Sequence, residues 1–221
     1  MATRRTITTI IGMSATALLL LPAGTPATAA QLGVPSATRW YEGRTGTVQW
    51  AVGSEFMQLL TDGGATLNVC PAAKVSVDAG SGVSIVSIPV SGNSVIQLNG
   101  RENGMDAVST CAITVTGNGA TVELTGLSFT VATAYASSIG ASNGDESLDL
   151  GTGARKKLPK QATRGTITAT SPVIVTSSAF NDLLRAGPVP TMTSDPVNLG
   201  LFRLVMKVKA IKEPVVENSE G

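Results

Sequence analysis

The sequence predicts an all-β fold, mostly antiparallel and of β-sandwich type, with two short helices in a single domain. Three observations predict it. Gly, Ser, Thr and Val dominate while aromatic residues make up only 4%, a composition suited to short strands joined by tight turns. Apolar residues alternate with polar ones in one run after another, separated by Gly/Ser/Asn clusters. Helical spacing interrupts that pattern at only two places, around Phe56 and around Phe180.

Residues 30–44 have weak periodicity and read as a lead-in segment. Residues 45–50 alternate, with Val48 and Trp50 on one side, and predict the first strand. Val52, Phe56, Leu59 and Leu60 then recur at helical spacing until Asp62-Gly63-Gly64 stops the run. Further strands are predicted at 67–69, 75–77, 83–90 and 95–98, with Pro89 at a strand end or edge because it cannot donate to a ladder. Residues 108–115 and 121–124 flank Gly117-Asn118-Gly119, the strongest hairpin signal in the chain, since Asn-Gly tolerates positive φ. Residues 128–135 continue as a strand. Residues 136–164 are polar and lack a sustained period, which predicts a long exposed loop. Strands return at 165–169 and 173–175, and Ser177 or Ser178 caps a helix carrying Phe180, Leu183 and Leu184 that Gly187 and Pro188 end. Residues 201–211 form the last strand, with Phe202, Leu204, Met206, Val208 and Ala210 on one face and Arg203, Lys207 and Lys209 on the other. The domain thus covers 45–212, and 213–221 read as a disordered tail.

The first residues carry Arg4 and Arg5, then an apolar stretch over 10–21, then the small residues Ala27, Thr28 and Ala29. That order predicts a signal peptide over 1–29, with Ala30 as the first mature residue. The apolar stretch is shorter than the ~20 residues a bilayer-spanning helix needs, and Pro22 and Pro26 follow it. The Arg pair fits both the general and the twin-arginine export routes. The protein is therefore expected to be secreted or cell-surface, whether or not it is retained at the wall, with no transmembrane segment in the mature chain. Losing Arg4 and Arg5 takes the formal charge from +1 to −1, which leaves no broad field for nucleic acid or anionic lipid. Cys70 and Cys111 are the only two cysteines, and in an oxidising compartment they are expected to form a disulfide.

The chain has no histidine, which removes the Ser-His-Asp and Cys-His arrangements and the usual imidazole metal ligands. No catalytic residue, cofactor or metal is expected. Asp145 with Glu146 or Asp149 is the densest carboxylate cluster and the only basis for a hydrolase. Asn143, Asp145 and Asp149 could offer oxygen to calcium, but their spacing fits no strong loop pattern, so a plain surface loop is preferred. Trp40-Tyr41 could form an exposed aromatic patch, whereas Trp50 reads as core. Arg155-Lys156-Lys157 could dock on an acidic surface, against the commoner reading of a solvated loop balanced by nearby acids. These five residues, Trp40, Tyr41, Arg155, Lys156 and Lys157, are the candidate interaction surface for an extracellular or cell-envelope ligand.

Three segments resemble the HtaA-type domain of secreted actinobacterial haem-uptake proteins. They are Thr45-Gly46-Thr47-Val48-Gln49-Trp50-Ala51-Val52 running into Phe56; residues 100–106 followed by alternating strands; and Val173-Ile174-Val175-Thr176 leading to Ala179-Phe180 and then Asp195-Pro196-Val197. The resemblance spans residues 45–204 and implies a β-rich binding domain. In that family a first-helix tyrosine ligates haem iron, and the register set by Trp50 and Phe56 places Leu59 there. The supporting histidine falls where this chain has Arg101, Glu102 and Asn103. The resemblance therefore implies the fold without the haem site, leaving a non-enzymatic binding or structural domain, with a haem-uptake accessory role and a carboxylate hydrolase as alternatives.

The signal-peptide reading predicts that mass spectrometry of the exported protein finds a chain beginning near Ala30. Only intact protein beginning at Met1 and confined to the cytoplasm would refute it.

Overall fold

The structure is a computed structural model and describes residues 38–92, 95–98, 104–133, 136–159 and 161–212. The predicted signal peptide, residues 30–37 of the lead-in and the tail at 213–221 lie outside the described residues. In chain order the strands are β1 (Arg39–Val52), β2 (Thr66–Val69), β3 (Lys74–Val77), β4 (Ser84–Gly92), β5 (Val95–Leu98), β6 (Gly104–Ser109), β7 (Ile113–Gly117), β8 (Ala120–Ala132), β9 (Ser137–Asn143), β10 (Glu146–Gly153), β11 (Thr166–Thr170), β12 (Ile174–Thr176) and β13 (Asn198–Ile211). Helix α1 (Ser54–Asp62) follows β1, and α2 (Ser178–Ala186) follows β12.

All strand pairings are antiparallel and belong to one continuous sheet system, so the opposing walls expected of a sandwich are joined. The ladders close on themselves. β1 pairs with β4, β4 with β6, β6 with β8, β8 with β9, β9 with β10, β10 with β12, β12 with β13, and β13 returns to β1. Closure leaves the main wall without a free edge. β5 and β11 add to β1 and β13, β3 adds to β4, and β2 and β7 extend β8.

The closing ladder runs from Trp40 opposite Ile211 to Val52 opposite Gly200. Its alternation buries Val48, Trp50 and Val52 against Phe202 and Leu204. Two glycines allow this approach. A Cβ at Gly46 would lie 2.4 Å from the Val205 carbonyl oxygen, and at Gly200, where φ is +119°, 2.0 Å from that of Ala51. Trp50 and Phe202 stack at 5.6 Å between centroids, and Phe129 lies 5.8 Å from Phe202. The Trp50 indole donates to the Leu199 carbonyl at 2.8 Å, which satisfies its one polar atom inside the core.

The barrel has two distinct ends. Where β1 and β12 finish, α1 and α2 close it with Phe56, Leu60, Phe180 and Leu184, all buried. Ser177 caps α2 by accepting the Phe180 N–H at 3.0 Å. The β7–β8 hairpin reaches this end with Asn118 at φ +49° and Gly119 at φ +74°, the geometry the Asn-Gly signal predicts. The Asn118 amide donates to the carbonyls of Gly63, after α1, and Pro188, after α2, both at 3.0 Å. One turn residue thus joins both helix ends to the sheet. At the opposite end, β1 starts and β13 finishes; we call this end the mouth.

Cys70 and Cys111 are bonded, with Cα atoms 5.3 Å apart and a sequence separation of 41. Closing a loop of that size removes about 4 kcal/mol of unfolded-state entropy in the chain-entropy account. The bond joins the β2–β3 connection to the β6–β7 connection, where the sheet would otherwise splay. Pro89 lies inside β4 rather than at its end, opposite Thr47 of β1. On the other edge of β4, however, β3 pairs only with residues 84–87 and β6 only with 91–92. The Pro89 carbonyl accepts the Ser109 hydroxyl at 2.6 Å, and Ser109 also accepts the Cys111 N–H at 3.1 Å. A strand residue turns its nitrogen and carbonyl to the same edge, so the missing N–H falls in the gap between ladders.

Several boundaries differ from the sequence reading: the run expected over 108–115 is divided between β6 and β7 at Cys111, and the runs expected at 121–124 and 128–135 are one strand, β8. β1 begins at Arg39, so residues 39–44 are strand rather than lead-in; a register shift between Gly43 and Gly46 breaks the alternation that would have revealed it. The expected loop over 136–164 contains the β9–β10 hairpin, turned at Gly144 with φ +60°. Its β9 half is Ser/Gly/Ala-rich, with Ile139 the one large apolar residue, so its period of two is muted.

The Asn118 clamp gives a stability prediction. Asn118→Gly keeps the turn's positive φ but removes both donors, so it should cost about 1–3 kcal/mol in urea unfolding. A loss below a few tenths would show that the clamp is dispensable.

Candidate functional site

The interior formed by the described residues has little free space. The cavity at its centre, lined by Trp50, Phe56, Phe129, Phe180 and Phe202 among other apolar side chains, has a volume of about 20 Å³. That is room for roughly one water, against several hundred Å³ for a small-molecule pocket, and apolar voids of this kind stay dry.

Of the five sequence-predicted surface residues, four are accessible. Trp40 is half-buried, and Arg155, Lys156 and Lys157 are exposed. Tyr41 is not part of an exposed patch: it is 7% exposed, and its hydroxyl accepts the Ala162 N–H at 3.3 Å. The physical reason is the pleat. Once β1 starts at Arg39, neighbouring residues point to opposite faces, and Tyr41 shares the inner face with Val48 and Trp50 only after the bulge resets the register.

The remainder of the expected loop, described at residues 154–159 and 161–164, is a strap across the mouth. On one side the Lys156 N–H donates to the Ala132 carbonyl at 2.8 Å, and the Thr133 hydroxyl donates to the Lys156 carbonyl at 3.0 Å, tying the strap to the end of β8. On the other, the Arg39 guanidinium donates to Gln161 Oε1 at 2.6 Å and Tyr41 holds Ala162, tying it to the start of β1. β8 and β1 are separated in the ring by β6 and β4, so the segment spans the opening. Leu158 is 5% exposed and plugs the interior beneath it. A tight turn closes the strap, with Arg164 at φ +50° and paired hydrogen bonds between Thr163 and Thr166 of 2.8 and 3.0 Å. The basic residues are thus held on an anchored segment.

Beside the strap, Thr38, Arg39, Trp40, Tyr41, Ala210 and Ile211 line an open surface depression of 380 Å³. The sequence placed Trp40 and the basic run far apart; the strap brings them to one end.

The carboxylates are spread along a turn and the strand that follows it. Asp145 lies in the β9–β10 turn, while Glu146 and Asp149 are on β10. Three residues of strand separate the latter two by about 10 Å and turn them to opposite faces, unlike the facing pair a glycosidase requires. Asp149 Oδ1 accepts the Gly151 N–H at 3.0 Å, supporting the bulge there. Among the described residues no group of three His, Cys, Asp or Glu side chains could hold a metal. Leu59, the residue that the resemblance read from the sequence aligned with a haem tyrosine, is partly buried against the core, as is Met57. Arg101, Glu102, Asn103 and Tyr135 lie outside the described residues. Among the described residues no helix is long and apolar enough to cross a membrane.

No protein-family model matches this sequence, and neither a curated protein nor a solved structure matches it.

The Leu158 plug generates a test. Leu158→Ala should cost about 2–4 kcal/mol and free the strap, so that trypsin cuts at Arg155, Lys156 or Lys157 roughly tenfold faster or more in native buffer. Equal cleavage rates would show that the plug does not hold the strap.

Proposed function

We propose that the mature chain is an exported, non-enzymatic binding domain that meets its partner on its outer surface. The observation that carries this reading is the filled interior: a closed wall around a core void of about 20 Å³ gives a small substrate no place to be desolvated and positioned. The disulfide supports an oxidising, non-cytoplasmic setting. The dispersed carboxylates support it against the hydrolase reading.

The haem-uptake alternative is less well supported. Haem iron needs an axial donor such as His, Cys thiolate, Met or Tyr. This chain has no histidine, both cysteines are in the disulfide, and the Tyr41 hydroxyl is engaged by Ala162. Met105, Met192 and Met206 are fully buried. What the HtaA-type resemblance contributes is the expectation of a β-rich surface-binding module, with the haem function not carried over.

Haemin titration of the mature protein tests this reading. The expected result is weak, non-saturating association without a sharp Soret shift. A saturable shift near one equivalent, lost in Tyr41→Phe or Met57→Leu, would return the domain to haem binding.

A further inference from the structure

Formal charge near zero conceals a strong segregation along the barrel axis. From residue 102 to residue 154 the chain contains six acids and neither Lys nor Arg. The topology adds a second asymmetry, between the two ends of the barrel. At the helix-capped end are Glu55 and Asp62 of α1, Asp182 of α2, Asp78 in the β3–β4 connection and Asp145 and Glu146 at the β9–β10 turn, all exposed. At the mouth the strap presents Arg155, Lys156, Lys157 and Arg164, while Arg39 begins β1 and Lys207 and Lys209 lie near the end of β13, again all exposed. The ion pairs among the described residues are Arg44–Glu42 at the edge of the mouth and Arg185–Asp182 on α2. Among the described residues none of the seven mouth cations is in an ion pair.

We propose that the mouth is a docking surface for an anionic lipid bilayer. This rests on the reading of the chain as an exported binding domain and names the partner of its surface. Two observations favour a bilayer. Exposed cations outnumber acids at the mouth and exposed acids outnumber cations at the helix end, with Glu42 and Arg185 each paired to an opposite charge, so a negative plane attracts the mouth and repels the helix end, which orients the molecule. Half-buried Trp40 lines the open depression beside the strap, and an indole flanked by Lys and Arg suits the boundary between headgroups and acyl chains.

Sedimentation of the mature protein with vesicles tests the proposal, comparing pure phosphatidylcholine with phosphatidylcholine containing a quarter phosphatidylglycerol. Binding should require the anionic lipid and weaken as salt rises. Each cation near such a surface contributes roughly a fivefold factor, so Arg155→Gln/Lys156→Gln/Lys157→Gln should weaken binding on the order of a hundredfold. Their side chains make no hydrogen bond or ion pair among the described residues, so the variant should remain folded; Lys207→Gln/Lys209→Gln gives an independent loss on the strand side. Asp145→Asn/Glu146→Gln, at the helix end, should leave binding intact. Trp40 emission should shift to the blue on binding, and Trp40→Phe should abolish the shift because Trp50 is already buried. Equal binding to both vesicles, no binding, or unchanged binding by the strap variant would overturn the proposal. So would tight association with a soluble poly(glycerol phosphate) that vesicles cannot displace, which would assign the mouth to an anionic polymer. A negative vesicle result with another surface ligand found would leave the binding-domain reading standing.

Discussion

The ladder between the first and last strands is the interaction on which the rest of this structure depends. Without the pairing of β1 to β13, the sheet is an open meander with two long free edges, each a template for misassembly. With it, the inward residues of both strands become the middle of a core that every wall shares, and the Trp50–Phe202 stack lies directly on the closing seam. Gly46 and Gly200 are requirements of that seam, since a side chain at either position would run into the backbone of the opposing strand.

Closure leaves two openings, and the chain fills them by different means. Helices cap one end with large apolar side chains and complete their own hydrogen bonds there. At the mouth an irregular segment does the same work with one leucine and a few hydrogen bonds to neighbouring strand ends. Irregular backbone can lie over a core only if its polar groups find partners, and the Lys156 backbone does so at both its N–H and its carbonyl. The lysine side chains are thereby left to solvent.

Much of the fold was legible because it depends on local chemistry. The Asn118-Gly119 turn, the Ser177 cap, the spacing around Phe56 and Phe180 and the lone cysteine pair each carry their cause within a few residues. The misreadings also have local causes. β9 alternates between inward and outward positions like any strand, but most of its inward positions are too small to register as hydrophobic, so Ser137–Asn143 read as loop. The bulge between Gly43 and Gly46 hid the first turns of β1 and made buried Tyr41 look like the partner of Trp40. The candidate site was legible as residues but not as a place. Net charge averages over the molecule, whereas the absence of Lys and Arg between 102 and 154 was visible in the sequence and acquires its meaning once β6, β8, β9 and β10 are seen as neighbours.

The pairing of Trp40 with Ile211 also has a consequence for how the molecule folds. Its most important ladder joins the two extremes of the chain, so it carries the largest loop-closure entropy of any pairing in the sheet. In a circular permutant opened between Gly144 and Asp145, a short linker would turn β13 and β1 into an ordinary hairpin. The longest-range contact would become a local one while every native neighbour was kept. The rate-limiting search would then pass to the β9–β10 pairing, which in the natural order of the chain is a local hairpin.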